Sequence, residues 1–461
     1  MKKLYLLMML VLAGIVAEAQ TSVWDGSRKL WTRGTGTQTD PYLIESAENL
    51  AFLAYMVDKG FETQDLFFRL TTDIDLNGSE DQPWTPIGRF YRGFDEDGCD
   101  RGNTLDYGTP TFFSGHFDGG NHTISNLYVV DGSGYAGMFG YADSGLNDES
   151  AVIENIEIAN GYISGSGCGG IVGRGGKLTV QHCRNAAVIE GHNVGGIVGE
   201  GGSVVLNCSN VGALSGTNVG GIVGGITGIF DISECFNEGD ITATRIAGGI
   251  IGGSRRSTVV NCYNTGNVSA IGDISAYYPA AGGLVAITAP DFEMESSYNV
   301  GEVAGNHHVG CLLGYHASDN VSIENCYYLN ICEDDEFGIS MDAEAMRAPT
   351  FVNTLNQGGD VWGMDVNHTN DGFPVLTRTD LAVEEYAEDG VVVFPNPTRG
   401  NVKVVGLETV SIMIYNVLGQ CVRTIGNSNE INFGDLPEGV YLLRVTDAES
   451  RSHATRVLVS R

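Results

Sequence analysis

The sequence predicts an all-β chain: a parallel β-helix, built as a solenoid of rungs about 25–30 residues long with short helical caps, followed by a small antiparallel β-sandwich. Three observations predict the solenoid. Gly-Gly-Ile-Val-Gly occurs at 169–173, 195–199 and 220–224, with near copies at 248–252, 282–286 and 310–314 and a forerunner at 136–140. A second ladder reads aliphatic-x-x-small: Ile124/Leu127, Ile153/Ile156, Val180/Cys183, Val205/Cys208, Ile232/Cys235, Val259/Cys262, Met294/Ser297 and Ile323/Cys326. Turn triplets follow it at Asn210-Val211-Gly212, Asn237-Glu238-Gly239, Asn264-Thr265-Gly266 and Asn299-Val300-Gly301. Glycine supplies 65 of 461 residues, and each would cost about 1 kcal/mol in a helix, so helical repeats are excluded.

The elements follow in order. Lys2 and Lys3, the apolar run Leu4–Val16 and Ala17-Glu18-Ala19 read as a signal peptide over 1–19. An N-terminal cap spans 20–67. Within it 46–60 reads as an amphipathic helix, with Ser46 as N-cap, Leu50, Leu53, Ala54 and Val57 on one face, and Gly60 ending it. The β-helix spans 68–337. Each coil needs three short strands: Gly-Gly-Ile-Val, the segment ending at the cysteine, and one carrying Ile189, Leu214, Ile241, Val268 or Val303. A bulge or bend between the aliphatic residue and the cysteine lets both point inward. Asn and Gly at the turns tolerate a left-handed backbone.

Coils stacked about 4.8 Å apart place Asn185, Asn210, Asn237, Asn264 and Asn299 in one hydrogen-bonded ladder. Ile and Val of the repeated pentapeptide are neighbours, so strand alternation sends Ile171, Ile197, Ile222 and Ile250 to one face and Val172, Val198, Val223 and Ile251 to the other. One stripe is core; the other is covered or is a binding face. A C-terminal cap over 338–381 includes a helix opened by Pro349, with Phe351, Val352 and Leu355, then Trp362 and Phe373–Leu376. An acidic linker at 382–390 precedes the sandwich at 391–461, whose turns fall at Gly400, Gly419 and Gly439.

Function is bounded more than named. The net charge of −32 repels a polyanion, which argues against nucleic acid as a partner. No apolar run after the signal peptide reaches the length of a membrane helix. Cys183, Cys208, Cys235 and Cys262 share one slot in successive coils. Parallel Cβ vectors about 4.8 Å apart suit buried reduced thiols better than disulfides, and a linear sulfur stack cannot wrap a tetrahedral metal. His307-His308 lacks an acidic partner at metal-site spacing and reads as a solvent-facing turn. Asp73 and Asp75 could share a face as a carboxylate pair, but read as turn and cap residues. Asp95–Asp100 and Glu333–Glu336 read as solvated inserts more than Ca²⁺ loops. The expectation is therefore no catalytic, cofactor-binding or metal residue.

Two stretches resemble known families. Residues 30–380 resemble GLUG-motif repeat proteins through Asp40–Ile44, Leu70–Leu76, Trp84–Gly88, Gly115–Gly119, Ile124–Leu127 and the glycine rungs. Val391–Arg461 resembles the C-terminal sorting domain of type IX secretion cargo in Bacteroidota, through Phe394–Gly400, Ile414–Gln420 and Leu436–Tyr441. The resemblance implies export by the type IX machinery, which this domain engages, and removal of the domain by a sortase-like enzyme. It implies a secreted or cell-surface location via the periplasm. The expected role is non-enzymatic: adhesin-like binding of a host or bacterial surface glycan or protein, or surface structure. The alternative is a polysaccharide lyase or glycoside hydrolase with a groove along the rod.

Overall fold

The computed structural model describes residues 21–90, 110–145, 150–225, 228–272, 279–317, 320–332 and 336–377, and most strand residues between 392 and 459. The expected signal peptide, the acidic segment 95–100, the linker 382–390 and the turn at Gly419 lie outside the described residues, as do 333–335 and 395–397. The chain divides into two compact units, 1–377 and 378–461.

The first unit is a three-sided coil of parallel strands. One side stacks His116–Ser125, Ala151–Ile158, Val172–Gln181, Val198–Leu206, Phe230–Ser233, Thr258–Val260, Phe292–Glu295 and Val321–Glu324. A second, short side begins directly after the cysteine slot, as at Ser209–Asn210, and a third carries the long strands such as Gly161–Gly169 and Val188–Gly195. Val180, Val205, Ile232, Val259, Met294 and Ile323 are in register, coil on coil.

Three expectations need correction. First, Gly-Gly-Ile-Val is a corner, not a strand. The third side ends at its first glycine and the next strand begins at its valine. Ile171 and Val172 both donate their N–H to the carbonyl of Ile197, so the chain bends between them. Alternation fails at a bend, and both stripes are buried in one core: Ile171, Ile197, Ile222 and Ile250 with Val172, Val198, Val223 and Ile251. Neither is a binding face.

Second, the left-handed residue is not in the Asn-x-Gly turn. It is the residue before the cysteine slot: Asn155, His182, Asn207, Glu234, Asn261, Ser296 and Asn325, with φ between 49 and 57°. This is the bend that lets the aliphatic residue and the cysteine both face inward. Third, Ile124 does not precede Ile153 in its ladder. Phe117 does, while Ile124 stacks between Ile74 and Ile158. The register shifts between Asp118 and His122, where Gly120 and Asn121 take positive φ, so the inward spacing there is longer than in later coils.

The asparagine ladder forms as expected. Each Nδ2 of Asn185, Asn210, Asn237 and Asn264 donates to the next Oδ1 at 2.8 Å, and all five residues are buried. Such a bond is worth about 1 kcal/mol net, and leaving a buried amide unpaired costs about 1–3. The cysteine slot does more than pack. The Cys183 N–H donates to Cys208 Sγ, and the Cys208 N–H to Cys235 Sγ, each at 3.4 Å. Ser297 serves the same slot because its Oγ accepts the Cys262 N–H at 2.9 Å. Burial pushes the Cys183 and Cys235 thiols well above their ordinary range. A disulfide does form elsewhere: Cys311, in a corner position, joins Cys332 beyond the last long coil, with Cα atoms 5.8 Å apart.

The helix Ala47–Asp58 has Ser46 as its N-cap, which accepts from the Asn49 N–H, and Gly60 with φ +82° just past its end. Leu50, Leu53, Ala54 and Val57 join the coil core. At the other end, the helix Pro349–Asn356 forms as expected, and Trp362–Gly363 pairs antiparallel with Val375–Leu376. They do not simply close the last coil. They lie along the flank of the short side, over an aromatic column. Phe236 stacks on Tyr263 at 4.7 Å, Tyr263 on Tyr298 at 5.2 Å, and Tyr327 follows. Phe351, Trp362 and Phe373 bury this column, and Trp362 Nε1 reaches back to Asn261 Oδ1 at 3.1 Å. Outward aromatic rings on successive coils make an apolar strip that must be covered.

The second unit pairs its strands antiparallel in two sheets of three and four strands. Val402, Val404 and Ile431 of one sheet, with Phe433 just past its strand Glu430–Asn432, share a core with Ile412, Ile414, Leu443, Val445, Val457 and Val459 of the other, which makes the expected sandwich.

Candidate functional site

Of the residues weighed for chemistry in the sequence, Asp73 and Asp75 serve turns. Asp73 Oδ1 accepts from the Thr123 N–H at 3.0 Å and pairs with His122 Nδ1 at 3.1 Å. Asp75 Oδ1 accepts from the Asn77 N–H at 2.7 Å and from Asn126 Nδ2 at 2.8 Å. Each carboxylate thus fixes its own corner. His307 and His308 are exposed, with His308 at φ 34° beside Tyr315. Among the described residues no three His, Cys, Asp or Glu gather to hold a metal ion.

Two other constellations stand out. The first is a cavity of about 460 Å³ on the N-terminal cap, lined by Trp24, Arg28, Tyr55, Asp58, Lys59, Trp84 and Arg89 among others. The helix Ala47–Asp58 supplies its outer stripe. Ala51, Ala54, Tyr55 and Asp58 recur at i, i+3, i+4 and i+7, one face of a 3.6-residue period. Trp24 follows the first strand, held by its N–H on the Asp75 carbonyl at 2.8 Å. Trp84 is held by its N–H on the Tyr128 carbonyl at 2.7 Å. The two indoles meet edge to face at 5.5 Å. Their Nε1 groups donate to Ser27 O and Met138 O, so both rings are fixed before any ligand arrives. Over Tyr55 lie two cations, Arg28 Cζ at 4.3 Å and Lys59 Nζ at 5.6 Å from the ring centre. Asp58 holds Lys59 at 3.1 Å and Arg89 at 3.3 Å.

The second is a polar chain across the coils. Glu200, 3% exposed, accepts from Tyr135 Oη and from Arg174 Nη1 at 2.8 Å, and its other oxygen accepts from Asn193 Nδ2 at 2.6 Å. Asn218 and Arg245 continue it. Arg174 also lies within 5.9 Å of the ring centres of Phe90, Tyr135 and Tyr141. Burial works against the Arg174 charge, but Tyr135 and Glu200 outweigh it and hold the guanidinium above its ordinary value. Burial, with the bond to Asp143, pushes the Tyr141 hydroxyl up to about 12.

Sequence reasoning missed both constellations. Their members lie far apart in the chain. Arg174 and Glu200, and Asn193 and Asn218, hold equivalent places on successive coils, but Tyr135, Arg174, Glu200 and Arg245 share no repeated residue type that would mark the cluster. The one signal was Trp84-Thr85-Pro86-Ile87-Gly88, singled out as a repeat-family segment without a partner.

Comparison with known proteins agrees with this anatomy. The GLUG motif matches residues 215–242, and a secretion system C-terminal sorting domain matches 392–460. Ser215 and Thr242 are Cα partners in adjacent strands, so one matched motif is one turn of the coil. The chain is 29% identical over 196 residues to halomucin of Haloquadratum walsbyi, covering 39% of this chain and 2% of that protein. It is 29% identical over 163 residues to a proposed Gly-rich membrane protein of Evansella cellulosilytica, covering 34% of this chain and 15% of that protein. The chain thus spans only a small part of the length of these relatives. A solved structure described as a proposed immunoglobulin A1 protease from Bacteroides ovatus aligns over 75% of this chain and 94% of its own, at 21% identity and a TM-score of 0.45. No described helix is long and apolar enough to cross a membrane. The chain carries a GLUG motif, one turn of its parallel β-helix, and a type IX secretion sorting domain, and it is exported to the cell surface or secreted.

Proposed function

We propose that the exported chain is a non-enzymatic, adhesin-like binding protein of the bacterial surface or its surroundings. The observation that carries this reading is the pocket on the N-terminal cap. Its two indoles are fixed by bonds of their own, so a ligand meets a largely preformed surface and little ordering entropy is lost on binding. The coil behind it is a rigid support in which the side chains of the core are already buried. The test is binding of the purified protein to an array of host and bacterial glycans and matrix proteins, with Trp84→Ala as the comparison. Specific binding that Trp84→Ala weakens supports the reading; absence of binding defeats it.

A second reading, a polysaccharide-cleaving enzyme, draws on the Tyr135–Arg174–Glu200 cluster. A buried carboxylate bonded to a phenol and a guanidinium combines groups that general acid–base catalysis uses. Release of oligosaccharide from any array glycan, abolished by Glu200→Gln, would favour it over adhesion.

A further inference from the structure

We infer that the pocket on the N-terminal cap takes an acidic sugar: a pyranose ring bearing a carboxylate or sulfate, within a surface polymer. This rests on the binding function proposed above and names its ligand class. The chain as a whole carries −32, with only 25 Lys and Arg. Three of those cations, Arg28, Lys59 and Arg89, line this one cavity beside a single carboxylate, Asp58. The lining therefore carries a net charge of +2 in a strongly acidic protein. That reversal is local, and long-range repulsion from the rest of the chain is screened beyond about 8 Å at physiological salt.

The cations have different work. Lys59 and Arg89 are both held by Asp58, which fixes the rim. Arg28 is exposed, on the loop after the first strand, with its guanidinium over the face of Tyr55. A planar guanidinium can receive a carboxylate or sulfate through two parallel N–H donors. The same site offers aromatic surface at Tyr55, 36% exposed, with the largely buried Trp24 and Trp84 in its lining. A sugar ring can pack its C–H groups along the part of Tyr55 that the cations leave exposed and turn its acid group to Arg28. A cavity of about 460 Å³ lies in the size range of small-ligand sites and has room for about one or two sugar units. Arg28 reads the charge and Tyr55 supports the ring.

The experiment uses the purified full chain and two matched pairs of polymers. Polygalacturonate is compared with its methyl ester, and dextran sulfate with dextran, by titration calorimetry at physiological salt. The acid form of at least one pair should bind at least tenfold tighter than its neutral partner, and which pair does so separates a carboxylate ligand from a sulfate ligand. Arg28→Gln should erase that preference and Arg28→Lys should retain part of it, with thermal unfolding unchanged in both. Tyr55→Ala should weaken binding of the acidic polymer severalfold. Equal binding of acidic and neutral polymers, or a preference that survives Arg28→Gln, overturns the ligand class and leaves the binding function standing. No binding of any acidic polymer overturns the ligand class, and a blank glycan and matrix array overturns the binding function with it.

Discussion

The side chain of Asn237 sits directly against Gly221, the second glycine of the Gly-Gly-Ile-Val-Gly corner that opens the same coil. The contact joins the two loudest repeats of the sequence. A side-chain carbon at Gly221 would collide both with Asn237 and with the Gly249 carbonyl. The glycine is there because the ladder of asparagines fills the space beneath the corner. Gly221→Ala should destabilise the coil by about 1–3 kcal/mol, the usual cost of overpacking. Asn237→Ala should cost a similar amount, because the Asn210 amide and the Asn264 carbonyl side both lose a buried partner. Urea unfolding of each variant checks this, and an unchanged midpoint in Asn237→Ala would contradict the ladder's role.

Glu234 holds a backbone conformation that suits asparagine or glycine. Its φ is 54°, and the equivalent residues Asn207 and Asn261 have 52° and 53°. A left-handed residue with a side chain costs about 1–2 kcal/mol, less for asparagine. Glu234→Asn or Glu234→Gly should therefore raise stability by about 0.5–1 kcal/mol. The readout is a higher unfolding midpoint in denaturant; a lower one would mean that the carboxylate has a compensating partner.

The coil thiols should be inert. Cys183, Cys208, Cys235 and Cys262 are fully buried, and burial pushes the Cys326 thiol up to about 12. Among the described free cysteines only Cys421 is exposed. Alkylation of the native, unreduced protein followed by peptide mapping should modify Cys421 and spare the coil set. Denaturation should open the coil set to the reagent, while Cys311 and Cys332 become reactive only after reduction. Modification of Cys208 in the native state would mean that the coil opens locally.

Acid should weaken the coil through Glu154. Burial tends to raise its pKa, but bonds from His116 and Gln181 outweigh burial and hold the carboxyl below its ordinary value of 4.5. A carboxyl with a depressed folded-state pKa contributes stability above its unfolded value. That contribution fades as pH falls below about 4.5 and through the folded pKa. Melting temperatures measured from neutral pH down to about 3 should drop, and the drop should be shallower in Glu154→Gln. Parallel curves for the two proteins would remove Glu154 from the account.

The flank segment should matter as much as a coil. Trp362 is 2% exposed and lies on the Tyr263–Tyr298 column. Trp362→Ala should cost about 3–5 kcal/mol. It should also expose 338–377 to limited proteolysis before the coils are cut.

Several parts of this protein are legible in its sequence because they are local or strictly repeated. The coil length, the asparagine ladder, the buried cysteine slot, the Ser46-capped helix and the sandwich all follow from residues whose spacing recurs or whose period is short. A repeat reports the geometry of one coil, and stacking multiplies it. The repeat did not say that its pentapeptide was a corner, since alternation rules hold only along a strand. The Ile171 and Val172 stripes became one core because the backbone bends between them. The covering of the aromatic column, the Cys311–Cys332 bond and the pocket of Trp24, Arg28, Tyr55, Trp84 and Arg89 were decided by tertiary structure alone. Each joins residues that no period connects, through loops whose paths depend on which apolar surface remains to be buried after the coils have stacked.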